Sequence, residues 1–449
     1  MRSIGDLLAA AVRRWSGRSS HVDRLAAIVQ CPACHAACAR AADGGGLVCE
    51  RCRTPYRMRD GVLIVELAGE RPEVVAEREG VLATERNAAL GGIDDAFDDL
   101  AHADGALKDA ILALPEGDDS RYYREPGYFL NVKNSLRGFG FVTRRLPRQT
   151  DQRLLDIGAD LTWSTNHFAR EGLRCTAIDV NHHLSVGELF QARFHRPYDM
   201  VRVDMHAEVF RSGAFDLVVA INALHHSGDI VRVAGNVARV LAPGGRLAAV
   251  EPYCIDVSQK ENFGREQIEA GINENTYLLD EWHAAFTGAG LVLDELMLTD
   301  SCNMIYRKPA AGERVEALAT MLERAHAGRL AVRPAAGDTS GRWTDGEPLA
   351  VSVEIVNLGN ATWCSEGRAP IFVSYHVSKR EGGLDTMVAF DNRRTAIPDI
   401  EPGATAVCEV LVDAHHPSGM YTVTFDLVQE GICWFAQRGF TTDAVICER

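Results

Sequence analysis

The chain changes hydrophobic period along its length, and the changes outline its architecture. Between residues 153 and 252, short β-branched-rich apolar runs alternate with segments of helical spacing. The runs are Arg153–Gly158, Thr176–Asp179, Val201–Met205, Phe215–Ala220 and Arg239–Leu247. Runs of this kind, each followed by a helical pattern, predict buried parallel strands of a βαβ sheet. From Trp343 the pattern becomes alternating, at 349–356, 371–375, 406–412 and 421–428, with turn residues at Asn357-Leu-Gly-Asn, Glu401-Pro-Gly and Pro417-Ser-Gly. Short strands at this spacing predict an antiparallel β-sandwich. Residues 69–115 carry Val74, Val75, Val81, Leu82 and Leu90 at helical intervals, which predicts two or more connecting helices. A helical linker is predicted over 313–327, and the Gly, Ala and Pro of 328–341 read as a boundary.

Polar residues stand at the carboxyl ends of the parallel runs, where such sheets bind their ligands. In order they are Asp156 and Gly158, Asp179, Asp204 with Met205, Asn222 followed by His225-His226, and Glu251. This series, over about residues 120–305, resembles the class I S-adenosylmethionine-dependent methyltransferases. The resemblance implies a Rossmann-like seven-stranded domain with S-adenosylmethionine as cofactor. Asp156 and Gly158 would hold its methionine part, Asp179 the ribose hydroxyls, Asp204 and Met205 the adenine, with Asn222 in the same pocket. One carboxylate accepting two hydrogen bonds suits vicinal hydroxyls.

One departure stands out. The family usually has a Gly-x-Gly-x-Gly loop after the first strand, whereas this chain reads Gly158-Ala159-Asp160-Leu161-Thr162-Trp163-Ser164. Glycines serve there because backbone must approach ligand closely and adopt unusual torsions. Trp163 and Ser164 look like a variant known in a related subgroup, and Asp160 and Trp163 count as cofactor-side candidates. The opposing expectation is a pocket that has lost its cofactor and a domain acting as a binding or assembly module.

Four of the twelve cysteines form Cys31-x2-Cys34 and Cys49-x2-Cys52. Two tight turns each offering two thiolates fit a tetrahedral structural Zn2+, with His35 and Cys38 as nearby alternatives. The stretch Tyr56–Val65 resembles the final strand of the small zinc-ribbon proteins that partner tRNA methyltransferases. A four-cysteine site has no open position for chemistry, so this zinc is scaffold. The expected organisation is an N-terminal helix and zinc ribbon (1–68), a helical connector (69–120), the methyltransferase domain (121–308), a helical linker (309–341) and the sandwich (342–449). The fold class is multidomain α/β plus all-β.

Methyl transfer to a hydroxyl requires alignment of the acceptor and removal of its proton. His225 and His226 are the candidate bases, with Glu251 second and Tyr253 beside it. Candidate substrate contacts are Tyr122 and Tyr123 in Arg121–Phe129, and Asn273, Asn275 and Tyr277 in the loop before Trp282. Each has a plainer reading as packing or helix capping.

The balance of 47 basic against 62 acidic residues, net −15, argues against a nucleic-acid backbone as main partner. No apolar run reaches the ~20 residues of a membrane span, and a cytoplasmic protein is expected. In the last hundred residues, Val356–Trp363 resembles the Asn-x-Gly-…-Trp signature of immunoglobulin-like bacterial and autophagy-receptor sandwiches, and Asp426–Phe435 resembles the closing hairpin of sandwich domains appended to enzymes of surface-polysaccharide gene clusters. Trp363, Trp434 and Phe435 offer aromatic surface for sugar rings, although core packing explains each as well. The expected activity is O-methylation of a sugar, glycan or glycan precursor. The alternatives are a degenerate binding module and a tRNA or protein methyltransferase. Ribbon and sandwich are candidate surfaces for a partner protein or a second copy.

Overall fold

The computed structural model describes residues 21–67, 69, 71–85, 105–117, 128–254, 257, 260, 273–299, 301–309, 313, 324–334, 347–366, 370–413, 416–431 and 433–449. Two compact units emerge. Unit 1 comprises residues 1–293 and 305–315, and unit 2 comprises 294–304 and 316–449. Among the described residues no helix is long and apolar enough to cross a membrane.

Unit 1 opens with α1 (residues 21–28) and a four-stranded antiparallel run, β1 (Cys38–Arg40), β2 (Gly46–Cys49), β3 (Pro55–Arg59) and β4 (Val62–Ile64). Helices α2 (Pro72–Glu85), α3 (Gly105–Leu112) and α4 (Tyr128–Arg145) follow. The βα alternation then appears as the hydrophobic runs predict: β5 (Arg153–Ile157), α5 (Trp163–Arg170), β6 (Arg174–Asp179), α6 (Gly187–Phe194), β7 (Asp199–Arg202), β8 (Phe215–Ile221), α7 (Ile230–Val240), β9 (Leu241–Pro252) and α8 (Leu279–Gly288). The sheet order is β7-β6-β5-β8-β9, all parallel. β10 (Val292–Leu298) and β11 (Ser301–Arg307) form a hairpin that the unit boundary divides. Strands buried on both faces are apolar throughout, which is why β5 to β9 read as runs rather than alternations.

The cysteine-rich module does not stand apart. β4 adds to the edge of the parallel sheet beside β7, with Val62 opposite Met200, Leu63 opposite Val201 and Ile64 opposite Arg202. Of the expected connector, α2 and α3 are present, and residues 86–104 lie outside the described residues.

Unit 2 has two antiparallel sheets. One is β12 (Gly328–Pro334), β13 (Leu349–Asn357) and β18 (Thr405–Val412). The other has β15 (Ile371–Glu381) paired with β16 (Leu384–Ala389), β17 (Thr395–Ala396) and β19 (Met420–Gln429), and β19 paired with β20 (Cys433–Trp434) and β21 (Asp443–Glu448). Short β14 (Ala361–Thr362) pairs in parallel with Leu296 and Met297. Both sheets contribute to one core, including Val353, Ile355, Val373, Tyr375, Val410 and Phe425.

The boundary expected at 328–341 is corrected in its first half. Gly328–Pro334 is a strand registered against β13, and its Gly328 is where a Cβ would meet the Trp363 ring at 2.6 Å. Of the expected helical linker, only a single turn at Arg324–His326 lies within the longer described stretches. Trp363 and Phe435 are fully buried in the core, 5.2 Å apart edge to face, so neither offers a sugar platform.

Candidate functional site

The loop between β5 and α5 carries the site's defining geometry. Gly158, Asp160 and Thr162 all have positive φ, at 68°, 41° and 62°. The alternate positions where the family places glycines therefore keep left-handed torsions here, two of them in residues with side chains. Such torsions disfavour Cβ-bearing residues by roughly 1–2 kcal/mol, most strongly the β-branched ones. Each side chain has a specific partner. Asp160 Oδ1 lies 2.7 Å from Nδ1 of His183, and Thr162 Oγ1 lies 2.8 Å from the Tyr198 hydroxyl. Gly158 remains glycine by necessity, since a Cβ there would come within 2.3 Å of the Ala223 Cβ.

Asp156 is buried and accepts hydrogen bonds from the hydroxyls of Ser164 and Thr165, both at 2.6 Å. It anchors the first turn of α5, and burial pushes its carboxyl up to about 6 against those bonds. Asp179 ends β6 and accepts the N–H groups of Asp160 and Asn181, both at 2.9 Å. Burial raises its pKa, and the neighbouring Asp160 raises it further. Asp204 accepts from the N–H of His206 at 2.9 Å and from its Nδ1 at 2.5 Å, while His206 Nε2 meets Ser227 Oγ at 2.6 Å. Burial opposes its charge, but the bonds from His206 hold its carboxyl below the usual range. This chain ties the end of β7 to the loop after β8. A cleft beside it is lined by Val180, Val203 and Asp204, and by Val65 and Leu67 just past β4.

Trp163, expected to face the cofactor, instead packs edge-on against Phe139 of α4 with ring centres 5.0 Å apart. Asn222, with φ 51°, donates from Nδ2 to Ser135 Oγ of α4 at 2.5 Å. Met205 is half-buried, and its carbonyl accepts from Asn236 at 3.2 Å.

The acceptor side centres on His225. Its Nδ1 lies 2.8 Å from Glu251 Oε2, and its Nε2 lies 3.2 Å from Glu274 Oε2. Burial works against the imidazolium, but hydrogen bonds to Glu251 and Glu274 outweigh it and hold the ring's pKa up at about 9. Both ring nitrogens of His225 are thus engaged by carboxylates, which corrects the expectation that it stands open as the base. Glu251 is corrected as well. It is fully buried, and its two oxygens accept the N–H groups of Ala223, Leu224 and His225 at 2.9–3.3 Å besides the imidazole. Glu251 closes the turn after β8 and has no capacity to take an acceptor's proton. His226 is half-buried, its ring centre 4.2 Å from that of His225.

The loop before α8 is occupied internally. Asn273 Nδ2 donates to the Glu73 carbonyl at 2.8 Å, Asn275 donates its N–H to the Asn273 carbonyl at 3.0 Å, and the Tyr277 hydroxyl donates to the Ser227 carbonyl. Tyr253 is buried at 8% exposure. Tyr122 and Tyr123 lie outside the described residues. Sequence reasoning gave no role to His183, His206 or Ser227, which are paired by contacts between separate loops. Polar residues just after strand ends were the only signal for them.

Around the cysteine module, Sγ atoms of Cys31 and Cys52, and of Cys34 and Cys49, lie 3.5 Å apart. Zn–S bonds of ~2.3 Å place tetrahedral sulfurs about 3.8 Å apart, so the four fit zinc with little movement. The two turns repeat one design. His35 and Arg53 are left-handed, at φ 57° and 62°, and donate their N–H to the carbonyls of Cys31 and Cys49. His35 is a turn residue beside Glu208, at 3.6 Å, and Cys38 is buried outside the four-sulfur cluster.

A family model described as a methyltransferase domain matches residues 155–249. The chain is 33% identical over 128 residues to a demethylmenaquinone methyltransferase of Corynebacterium urealyticum, covering 27% of this chain and 54% of that protein. It is 29% identical over 141 residues to a ubiquinone biosynthesis O-methyltransferase of Pectobacterium atrosepticum, covering 30% and 58% respectively. The chain thus spans little more than half the length of these two curated relatives. The crystal structure of the YcgJ protein of Bacillus subtilis matches 39% of this chain over its own full length, at 16% identity and a TM-score of 0.35. The matched segment is a class I methyltransferase domain of the S-adenosylmethionine-dependent kind.

Proposed function

We propose that the chain uses S-adenosylmethionine to methylate a hydroxyl of a sugar, glycan or glycan precursor. The observation that carries the reading is the loop Gly158–Thr162, which keeps left-handed torsions at alternate residues beside Asp179 although two of its glycines are replaced. A decayed pocket would have no reason to hold Asp160 and Thr162 in torsions their side chains disfavour.

The residues fit the cofactor. Asp179 offers a carboxylate for the ribose hydroxyls, and the cleft at Val180, Val203 and Asp204 offers apolar side chains among charged ones, Glu66, Arg78 and Arg202. S-adenosylmethionine supplies an electrophilic methyl group on a sulfonium. On the protein side, Asp156 holds the start of α5, and Gly158 leaves backbone open beside Ala223. His225 has both ring nitrogens engaged and Glu251 is saturated, so the acceptor's proton passes to solvent water. The four cysteines hold a structural Zn2+ that keeps β1–β4 folded against the edge of the sheet.

A sugar acceptor is supported by the resemblance of Asp426–Phe435 to sandwich domains appended to enzymes of surface-polysaccharide gene clusters, where Trp434 is half-buried with Arg394 over its ring at 5.3 Å. The name of the ubiquinone biosynthesis relative favours a second reading, a phenolic hydroxyl. Calorimetric titration of the zinc-replete protein with S-adenosylmethionine and its demethylated product is the test. Micromolar binding, lost in Asp179→Ala, is expected, and a screen of nucleotide sugars against catechols then separates the two acceptors. No binding at millimolar ligand would overturn methyl transfer and leave a recognition module.

A further inference from the structure

We propose that His225, His226 and Glu274 form a binding site for a divalent first-row transition-metal ion, separate from the cysteine cluster. One ligand atom from each of the three residues lies within 4.8 Å of the other two. The closest pair, His225 Nε2 and Glu274 Oε2, is 3.2 Å apart, close to the ~3 Å edge between neighbouring ligands bonded at 2.0–2.2 Å. The half-buried His226 completes the set, its ligand atom within 4.8 Å of the other two.

The surroundings support a metal more than an isolated ion pair. A metal-binding histidine characteristically donates its second ring nitrogen to a carboxylate, which fixes its tautomer and orientation. Glu251 takes that place on Nδ1 of His225 at 2.8 Å and is itself held by three backbone N–H groups. Nε2 is thereby aimed at Glu274, and the second imidazole lies against the first at 4.2 Å. Glu274 keeps 18% side-chain exposure, which gives an ion a way in. Two imidazoles and one carboxylate suit ions such as Zn2+, Co2+ or Fe2+ better than Mg2+ or Ca2+, which prefer oxygen. Three protein ligands also leave coordination positions open, in contrast to the closed four-cysteine site.

The site lies at the carboxyl ends of β8 and β9, where the acceptor is expected. Resting on the methyl-transfer reading, its role is to bind the acceptor hydroxyl and lower its pKa, so that the hydroxyl proton passes to solvent water. The binding site itself does not depend on that role.

The test is calorimetric titration of the full chain, its cysteine site already filled with zinc, with Co2+. One further equivalent is expected to bind, with visible d–d bands and no added thiolate-to-metal absorption. Glu274→Gln and His226→Asn should each weaken that equivalent tenfold or more. Absence of a further equivalent up to millimolar Co2+, a new thiolate band, or wild-type affinity in both variants would overturn the proposal. The wild-type spectrum alone decides between nitrogen–oxygen and sulfur ligands should a variant fold poorly. Cofactor titration of the same sample separates the two ideas. Cobalt bound without S-adenosylmethionine binding sinks methyl transfer and keeps the metal site, and the reverse result sinks only the metal site.

Discussion

Asp160 Oδ1 lies 2.7 Å from Nδ1 of His183, while the Asp160 N–H donates to the Asp179 carboxylate at 2.9 Å. One residue thus links the loop after β5 to both the end of β6 and the turn behind it. The aspartate that looks like a lost glycine in the sequence is a cross-link in the structure. Its charge also acts on Asp179, whose pKa is raised by burial and then by Asp160. Removing that charge in Asp160→Asn should lower the Asp179 pKa. If Asp179 binds ribose as a carboxylate, the acid limb of S-adenosylmethionine binding should then move to lower pH. Calorimetry across pH checks this, and an unmoved acid limb would dissociate Asp160 from the pocket.

Asp179→Ala removes the proposed ribose ligand. Two hydrogen bonds to a charged carboxylate predict a loss of roughly 2–3 kcal/mol in cofactor binding, about 30- to 150-fold. Unchanged affinity with an unchanged melting temperature would remove Asp179 from the site.

Thr162 combines a β-branched side chain with φ 62° and a bond to Tyr198. Thr162→Gly relieves the torsion as it loses the bond, so stability should change by less than about 1 kcal/mol. Thr162→Val keeps the torsion and loses the bond, while the Tyr198 hydroxyl keeps its donation to the Gly187 carbonyl, and should cost about 0.5–1.5 kcal/mol. Equal urea midpoints for the two variants would contradict this account.

Chelation of zinc should be felt in the methyltransferase sheet, because β4 is the neighbour of β7. Hydrogen exchange at Asp199–Arg202 is expected to accelerate after chelation, and Cys49→Ser should reproduce the effect. Protection retained along β7 with zinc removed would mean that the ribbon folds without its metal.

In unit 2, burial pushes the carboxyl of Asp426 up to about 6 from its ordinary 3.8, against bonds from the N–H groups of Leu427 and Ala436. The folded state therefore holds this proton more tightly than the unfolded chain. Asp426's contribution is most favourable below about pH 4 and is lost as pH rises through about 6. At about 1.4 kcal/mol per unit, the full loss is about 3 kcal/mol, of which roughly 2 kcal/mol falls between pH 4 and 7. The stability difference between wild type and Asp426→Asn, from urea denaturation between pH 4 and 7, should change by that amount. A difference flat across that window would show that Asp426 does not set it.

The parts of this protein written in local pattern were legible before any coordinates. β5, β8, β13, β18 and β19 lie within a residue or two of their hydrophobic runs, since a strand buried on one or both faces must show its period in its own residues. The four-cysteine set was legible for the same reason, since each turn brings its two thiols together within four residues. β12 was not, because Gly328–Pro334 contains the glycine and proline of a boundary and becomes a strand only by pairing with β13.

Sequence by itself determined the order of strands, the acids at their ends and the paired thiols, because these depend on side-chain period and spacing within a few residues. Only the tertiary structure decided which partners those side chains take. Asp160 meets His183 from 23 residues away, and Glu251 meets His225 from 26. Val62 comes to lie opposite Met200. A buried carboxylate must find donors wherever the closed fold brings them. That requirement turned Glu251 from a candidate base into the brace of the loop that holds His225.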